Sequence, residues 1–129
     1  MNVSEWVALV VEDDPDGQEV VQRILRHYGI HYDTASDAES ALEILKQHPF
    51  TIAVIDLALP VMDGWGLIRR IKDNPVTSQI VCVAITAFHS SEVAMESTAS
   101  GFAAYFPKPL NPTTFVREIE KAVARANGE

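Results

Sequence analysis

The sequence predicts a doubly wound α/β domain, a parallel sheet with helices on both faces. Short runs rich in Val and Ile alternate with longer segments whose apolar residues recur at helical spacing. The first, third and fourth runs are apolar nearly throughout, as strands buried on both faces must be. The 129 residues suit one domain, assigned to 1–129, and an apolar fraction of 47% is enough to build a core.

Each element has its own warrant. The first strand is read over 6–11, Trp6-Val7-Ala8-Leu9-Val10-Val11. Asp14 caps a helix that opens on Pro15, where a missing N–H costs nothing. Val20, Val21, Ile24, Leu25 and Tyr28 share one side of that helix, and Gly29 stops it. A short second strand covers 30–35. Ser36 is expected to cap the next helix, with Glu39 completing a capping box. Ala38, Ala41, Leu42 and Leu45 face inward there, and His48-Pro49 ends the helix. The third strand, 51–56, ends on Asp56, and a loop over 57–63 follows. A third helix over 64–72 turns Leu67, Ile68 and Ile71 inward. Gly64 is expected to relieve backbone strain at its entry. Trp65, between Gly64 and Gly66, reads as an exposed candidate for a partner contact. The fourth strand covers 80–86, and a weakly amphipathic helix covers 91–100. A fifth strand, 104–106, leads into Pro107-Lys108-Pro109. The last helix, 112–126, carries Phe115, Ile119 and Val123 at helical spacing.

Composition excludes several functions. Ten Lys and Arg face eighteen Asp and Glu, a formal net charge of -8, and no basic cluster is visible. Direct binding to nucleic acid is therefore not expected. The single cysteine, Cys82, cannot form an internal disulfide and reads as a small buried hydrophobe. No apolar run approaches the ~20 residues that span a bilayer, so no membrane span is expected. Met1-Asn2-Val3-Ser4-Glu5 lacks the basic segment of a signal peptide. A reducing, cytoplasmic setting fits best.

The chemistry lies at the carboxyl ends of the strands, where ligands of such sheets bind. The first strand ends in Glu12 and Asp13, the third in Asp56, the fourth in Thr86, and Lys108 follows the fifth. A parallel sheet brings all of them to one edge. Clustered carboxylates repel one another unless a cation neutralises them, and an all-oxygen donor set favours Mg²⁺, which pairs readily with phosphate. Lysine is a point charge suited to a phosphoryl oxygen, and an aspartate can itself be the nucleophile. Taken singly, each residue is a turn, a cap or a solvated charge. Their joint placement carries the argument.

Four pieces of the chain carry a resemblance. They are Val10-Val11-Glu12-Asp13-Asp14-Pro15, the run from Val54-Ile55-Asp56 to Asp63-Gly64, Ile85-Thr86-Ala87, and Lys108-Pro109. Asp13, Asp56, Thr86 and Lys108 follow one another at 43, 30 and 22 residues. The chain resembles the receiver domain of two-component response regulators, of the single-domain, chemotaxis-regulator-like type, from about Val7 to Ala126. The resemblance implies a flavodoxin-like sheet of strand order 2-1-3-4-5. It implies that Asp56 takes a phosphoryl group from a histidine kinase or phosphotransfer protein. Asp13, Glu12, Asp56 and the backbone carbonyl of Ala58 would hold Mg²⁺. Lys108 would contact the phosphoryl group, Thr86 would turn toward it, and Tyr105 would move inward as the aromatic switch. The Lys108-Pro109 bond would be cis. The domain would catalyse its own phosphorylation and dephosphorylation without turning over external substrates. The downstream protein target stays unnamed, and a monomer and a phosphorylation-dependent dimer both stay open.

Departures from the family pattern bear on these expectations. Ala58 and Phe88 occupy positions that influence phosphoryl lifetime, and both are apolar, so a moderately long-lived phosphoryl state is expected. Glu12 stands where Asp is common. Pro107 stiffens the approach to Lys108. Ala104 replaces an Asp used in strand-five dimer contacts. The tail Asn127-Gly128-Glu129 reads as the end of a stand-alone receiver. The rival reading is a receiver-like interaction module that is not phosphorylated. A Mg²⁺-dependent phosphatase would need a second Asp where Ala58 stands. A flavin module would need a glycine-rich phosphate loop.

Overall fold

The sheet grows outward from its most apolar strands. In the computed structural model, which describes residues 2–128, β1 (Val7–Val11), β3 (Ile52–Asp56) and β4 (Val81–Thr86) are buried along almost their whole length. The shorter β2 (His31–Ala35) and β5 (Ala104–Pro107) form the edges. All pairings are parallel and the order is β2-β1-β3-β4-β5, as the resemblance implies. The termini of the domain expected over 1–129, Met1 and Glu129, lie outside the described residues.

Among the described residues, five α-helices cover the two faces. They are α1 (Pro15–His27), α2 (Ala38–Gln47), α3 (Gly64–Asp73), α4 (Ser91–Ala99) and α5 (Pro112–Ala126). Alternate residues of each strand feed two separate cores. Val10, Val54 and Val83 pack with Leu25 of α1 and Phe115 and Ile119 of α5. Leu9, Ala53 and Ala84 pack with Ala41 and Leu45 of α2 and Leu67, Ile68 and Ile71 of α3. A period of two along the strands sorts side chains between these cores.

Several local expectations are corrected. The first strand starts at Val7, because Trp6 closes a short 3₁₀ turn, Val3–Glu5, by donating its amide to the Val3 carbonyl. Asp37, not Ser36, caps α2, its carboxylate accepting from the Ser40 amide at 2.7 Å. Val20 does not share the buried side of α1; it is 44% exposed and lines a cleft described below. Tyr28 and Leu42 are only half-buried. Trp65 is half-buried and meets Phe102 edge-on, with ring centroids 6.1 Å apart. Gly64 has an ordinary φ, so strain is not what it relieves. A Cβ there would stand 2.6 Å from the Asp56 carbonyl oxygen and 2.8 Å from the Leu57 Cα, so the glycine permits close approach.

No helix among the described residues is long and apolar enough to cross a membrane. The Lys108-Pro109 peptide is cis, as expected.

Candidate functional site

Backbone ties at the strand ends set the site. The Glu12 amide donates to the Ala35 carbonyl at 3.1 Å, which extends the β1–β2 ladder one residue past β1. The Leu57 amide donates to the Ile85 carbonyl at 3.1 Å, and the Lys108 amide to the Thr86 carbonyl at 2.8 Å. Glu12, Asp56 and Lys108 therefore leave their strands from hydrogen-bonded positions. Asp14 caps α1 by accepting from the Gly17 amide at 3.2 Å, which fixes the turn carrying Asp13.

Three carboxylates and one ammonium converge. Oxygens of Glu12, Asp13 and Asp56 lie within 4.8 Å of one another. The Lys108 Nζ donates to Glu12 Oε1 at 2.5 Å and to Asp56 Oδ2 at 2.8 Å. The other Asp56 oxygen, Oδ1, accepts from the Ala58 amide at 2.8 Å. Glu12 is fully buried, Asp56 is 5% exposed, and Asp13 is exposed.

Burial and crowding shift the proton affinities. Burial, helped by the neighbouring Asp56 and opposed by Lys108, pushes the Glu12 carboxyl up to about 7. Burial alone would push Asp56 up as well. Glu12, Lys108 and the Ala58 amide together outweigh it and hold Asp56 below the usual carboxylate range. Burial lowers the proton affinity of Lys108, but its two carboxylate partners reverse the balance and raise it.

The donor set suits a hard divalent cation. Every candidate ligand is an oxygen. Glu12 Oε2 is buried and has no hydrogen-bond partner among the described residues. A buried, unpartnered oxygen on a residue that clusters with two further carboxylates fits an ion better than a purely structural cluster.

Thr86 and Tyr105 stand to one side. Thr86, 2% exposed, accepts at its Oγ1 from the Phe88 amide at 3.0 Å. Tyr105 is half-buried, and its hydroxyl lies 2.9 Å from His89 Nδ1. Phe88 is 73% exposed and lines a small hollow with Leu57, Ala58, Trp65, Thr86 and Val93. A larger cleft of about 430 Å³ opens beside Lys108, lined by Val20, Val21, Ile85, Pro109 and Leu110 with Asp16 at its rim.

Three contributors were missed at the sequence level. Gly17 passes so close to Glu12 that any side chain there would displace the carboxylate. A glycine in the first turn of a helix is the signal that could have drawn attention. The Gln18 side-chain amide donates to the Glu12 carbonyl at 2.7 Å, and no sequence signal marks it. His89 reads from sequence as an ordinary loop residue, because its partner is sixteen positions away.

The model of the response regulator receiver domain family matches residues 8–120. An uncharacterized 14.6 kDa protein in the sodA1 3′ region of Leptolyngbya boryana is 33% identical over 113 residues, covering 88% of this chain and 86% of that protein. The transcriptional regulatory protein ZraR of Escherichia coli K12 is 31% identical over 120 residues, 92% of this chain, and the chain spans 26% of its length. A CheY-like response regulator receiver domain protein from Methanospirillum hungatei shares the fold with a TM-score of 0.85 at 24% identity, covering 95% of this chain and 97% of that one.

Proposed function

Because the chain belongs to the response regulator receiver domain family, we propose that Asp56 is its phosphoacceptor, taking a phosphoryl group from a histidine kinase or phosphotransfer protein in a Mg²⁺-dependent step. The observation that carries this reading is the position of Lys108. Its ammonium bridges Asp56 and Glu12 at the carboxyl edge of the sheet, with Asp13 alongside. No structural role requires that much charge in one crevice.

An Asp56 oxygen attacks the phosphorus of the donor's phosphohistidine. The new P–O bond forms as the P–N bond breaks, and the bonding pair stays on the imidazole nitrogen. Asp56 is ready for this because its neighbours keep it ionised. The Ala58 amide holds Oδ1 and leaves Oδ2, which Lys108 contacts, as the oxygen nearest the incoming charge. Lys108 can exchange a carboxylate partner for a phosphoryl oxygen without losing its charge balance. Glu12, Asp13, Asp56 and the carbonyl of Ala58 would hold Mg²⁺, which when bound neutralises charge on the phosphoryl oxygens.

The switch follows from the new acceptors. Thr86 leaves the Phe88 amide and donates its hydroxyl proton to a phosphoryl oxygen. The space it vacates admits the Tyr105 ring, and the surface of α4, β5 and α5 changes shape for a partner protein. Apolar Ala58 and exposed Phe88 offer no side-chain group to orient an attacking water, which supports a moderately long-lived phosphoryl state. A cytoplasmic setting suits such a relay.

Borohydride reduction of the phosphorylated protein followed by peptide mapping tests the assignment. The reduced residue is expected at position 56, in the peptide spanning the end of β3. Reduction confined to any other acidic residue contradicts it.

A further inference from the structure

The segment between β4 and α4 is only four residues long, yet it makes two hydrogen bonds to the side chains of the switch residues. The Phe88 amide donates to Thr86 Oγ1 at 3.0 Å. One residue on, His89 Nδ1 lies 2.9 Å from the Tyr105 hydroxyl, and the two rings face each other at a 36° tilt with centroids 5.6 Å apart. The next residue, Ser90, caps α4 by accepting from the Val93 amide at 3.1 Å. Thr86 and Tyr105 sit on different strands, but this segment grips both. Its far end is pinned by the α4 cap.

We propose that His89 is a positioning residue for the switch, a latch that holds Tyr105 in its half-buried place and is released when Thr86 lets go of the Phe88 amide. This rests on the reading of Thr86 and Tyr105 as the switch pair. It goes beyond that reading in making the coupling a mechanical one. Turning the Thr86 hydroxyl toward a phosphoryl oxygen leaves the Phe88 amide without its acceptor. The amide must find a new partner, and the short segment moves with it. His89 is one residue away and cannot stay in place. Its bond to Tyr105 breaks and the ring is free to turn inward. Conversely, while the latch is closed it opposes the active arrangement. The imidazole serves in either charge state, since Nδ1 can accept the hydroxyl proton or donate to the hydroxyl oxygen. The latch is therefore a matter of geometry and not of protonation.

The net worth of one such hydrogen bond predicts a bias of about two- to tenfold in the switch equilibrium. The test uses His89→Phe, which keeps a ring but removes the bond, and His89→Asn, which keeps a hydrogen-bonding side chain. Tyr105 χ1 populations are read by NMR in the free protein, and affinity for beryllofluoride with Mg²⁺ is measured as a phosphoryl stand-in. In His89→Phe, Tyr105 is expected to populate a second rotamer, and the dissociation constant should fall about two- to tenfold. His89→Asn should stay near wild type. Tyr105→Phe and the double variant should bind alike, because the latch is already gone in the first. A single unchanged Tyr105 rotamer in His89→Phe overturns the latch. So does equal behaviour of His89→Phe and His89→Asn. The rotamer readout needs no phosphoryl group, so failure of beryllofluoride to bind wild type counts against Asp56 chemistry while the rotamers still decide the latch.

Discussion

Gly64 shows how a single atom can matter to the candidate site. It starts α3 beneath the turn that leaves Asp56, and a methyl group there would press on the Asp56 carbonyl and the Leu57 Cα. Those contacts are backbone and cannot swing aside. Gly64→Ala is expected to cost about 1–3 kcal/mol of stability and to slow phosphorylation, because relief comes only by moving the turn. Urea unfolding and phosphorylation rates measured side by side check this, and wild-type values in both contradict it. At the same scale, Glu12 sets a pH dependence. Its folded carboxyl titrates at about 7 against an ordinary 4.5, chiefly through burial. The native state thus binds more protons than the unfolded chain between those values, and its stability falls as pH rises through that window. Asp56 is shifted the other way, so its contribution lies below the ordinary carboxylate range and leaves the window to Glu12. The expected loss without added Mg²⁺ is at most ~3 kcal/mol, and Glu12→Gln should abolish it. Denaturant melts at pH 5 and pH 8 decide this, and a stability that rises between them in wild type would refute it.

At the scale of elements, the helix caps divide a correct expectation from a wrong one. Asp14 was legible because Pro15 marks the first helical position beside it. Ser36 and Asp37 are adjacent and both are good caps, so the choice depends on which residue has extended backbone where β2 hands over to α2. The structure gives that place to Asp37. Asp37→Ala is expected to destabilise the domain by ~1 kcal/mol, and Ser36→Ala by much less. Equal losses in thermal melts of the two variants contradict the assignment. Strands β1, β3 and β4 were legible because burial on both faces demands continuous apolar runs. Val20 was misplaced because helical spacing alone does not show where a neighbouring element stops. Here the cleft beside Lys108 leaves that part of α1 uncovered.

At the scale of the molecule, the parallel sheet made the site legible. Once the strands are known to run one way, Glu12, Asp13, Asp56, Thr86 and Lys108 must gather at one edge, and the structure brings the carboxylates and Lys108 into contact there. Gly17, Gln18 and His89 were not picked out, because each acts through a contact with a residue of another segment that only the folded chain brings together. The clustered charge also predicts a linkage. Mg²⁺ competes with the Glu12 proton, so it should stabilise the protein more at pH 8 than at pH 5, and much less in Asp13→Asn. Equal thermal shifts in wild type at the two pH values would contradict this linkage, and no shift at either would show that the cluster does not bind the ion. The most direct test of the central claim is intact mass after incubation with acetyl phosphate and Mg²⁺, for wild type and Asp56→Asn. A gain of about 80 Da that requires both Mg²⁺ and Asp56 is the expected result. A gain that persists in Asp56→Asn, or no gain even with a phosphorylated histidine phosphotransfer donor, would contradict Asp56 as the phosphoacceptor.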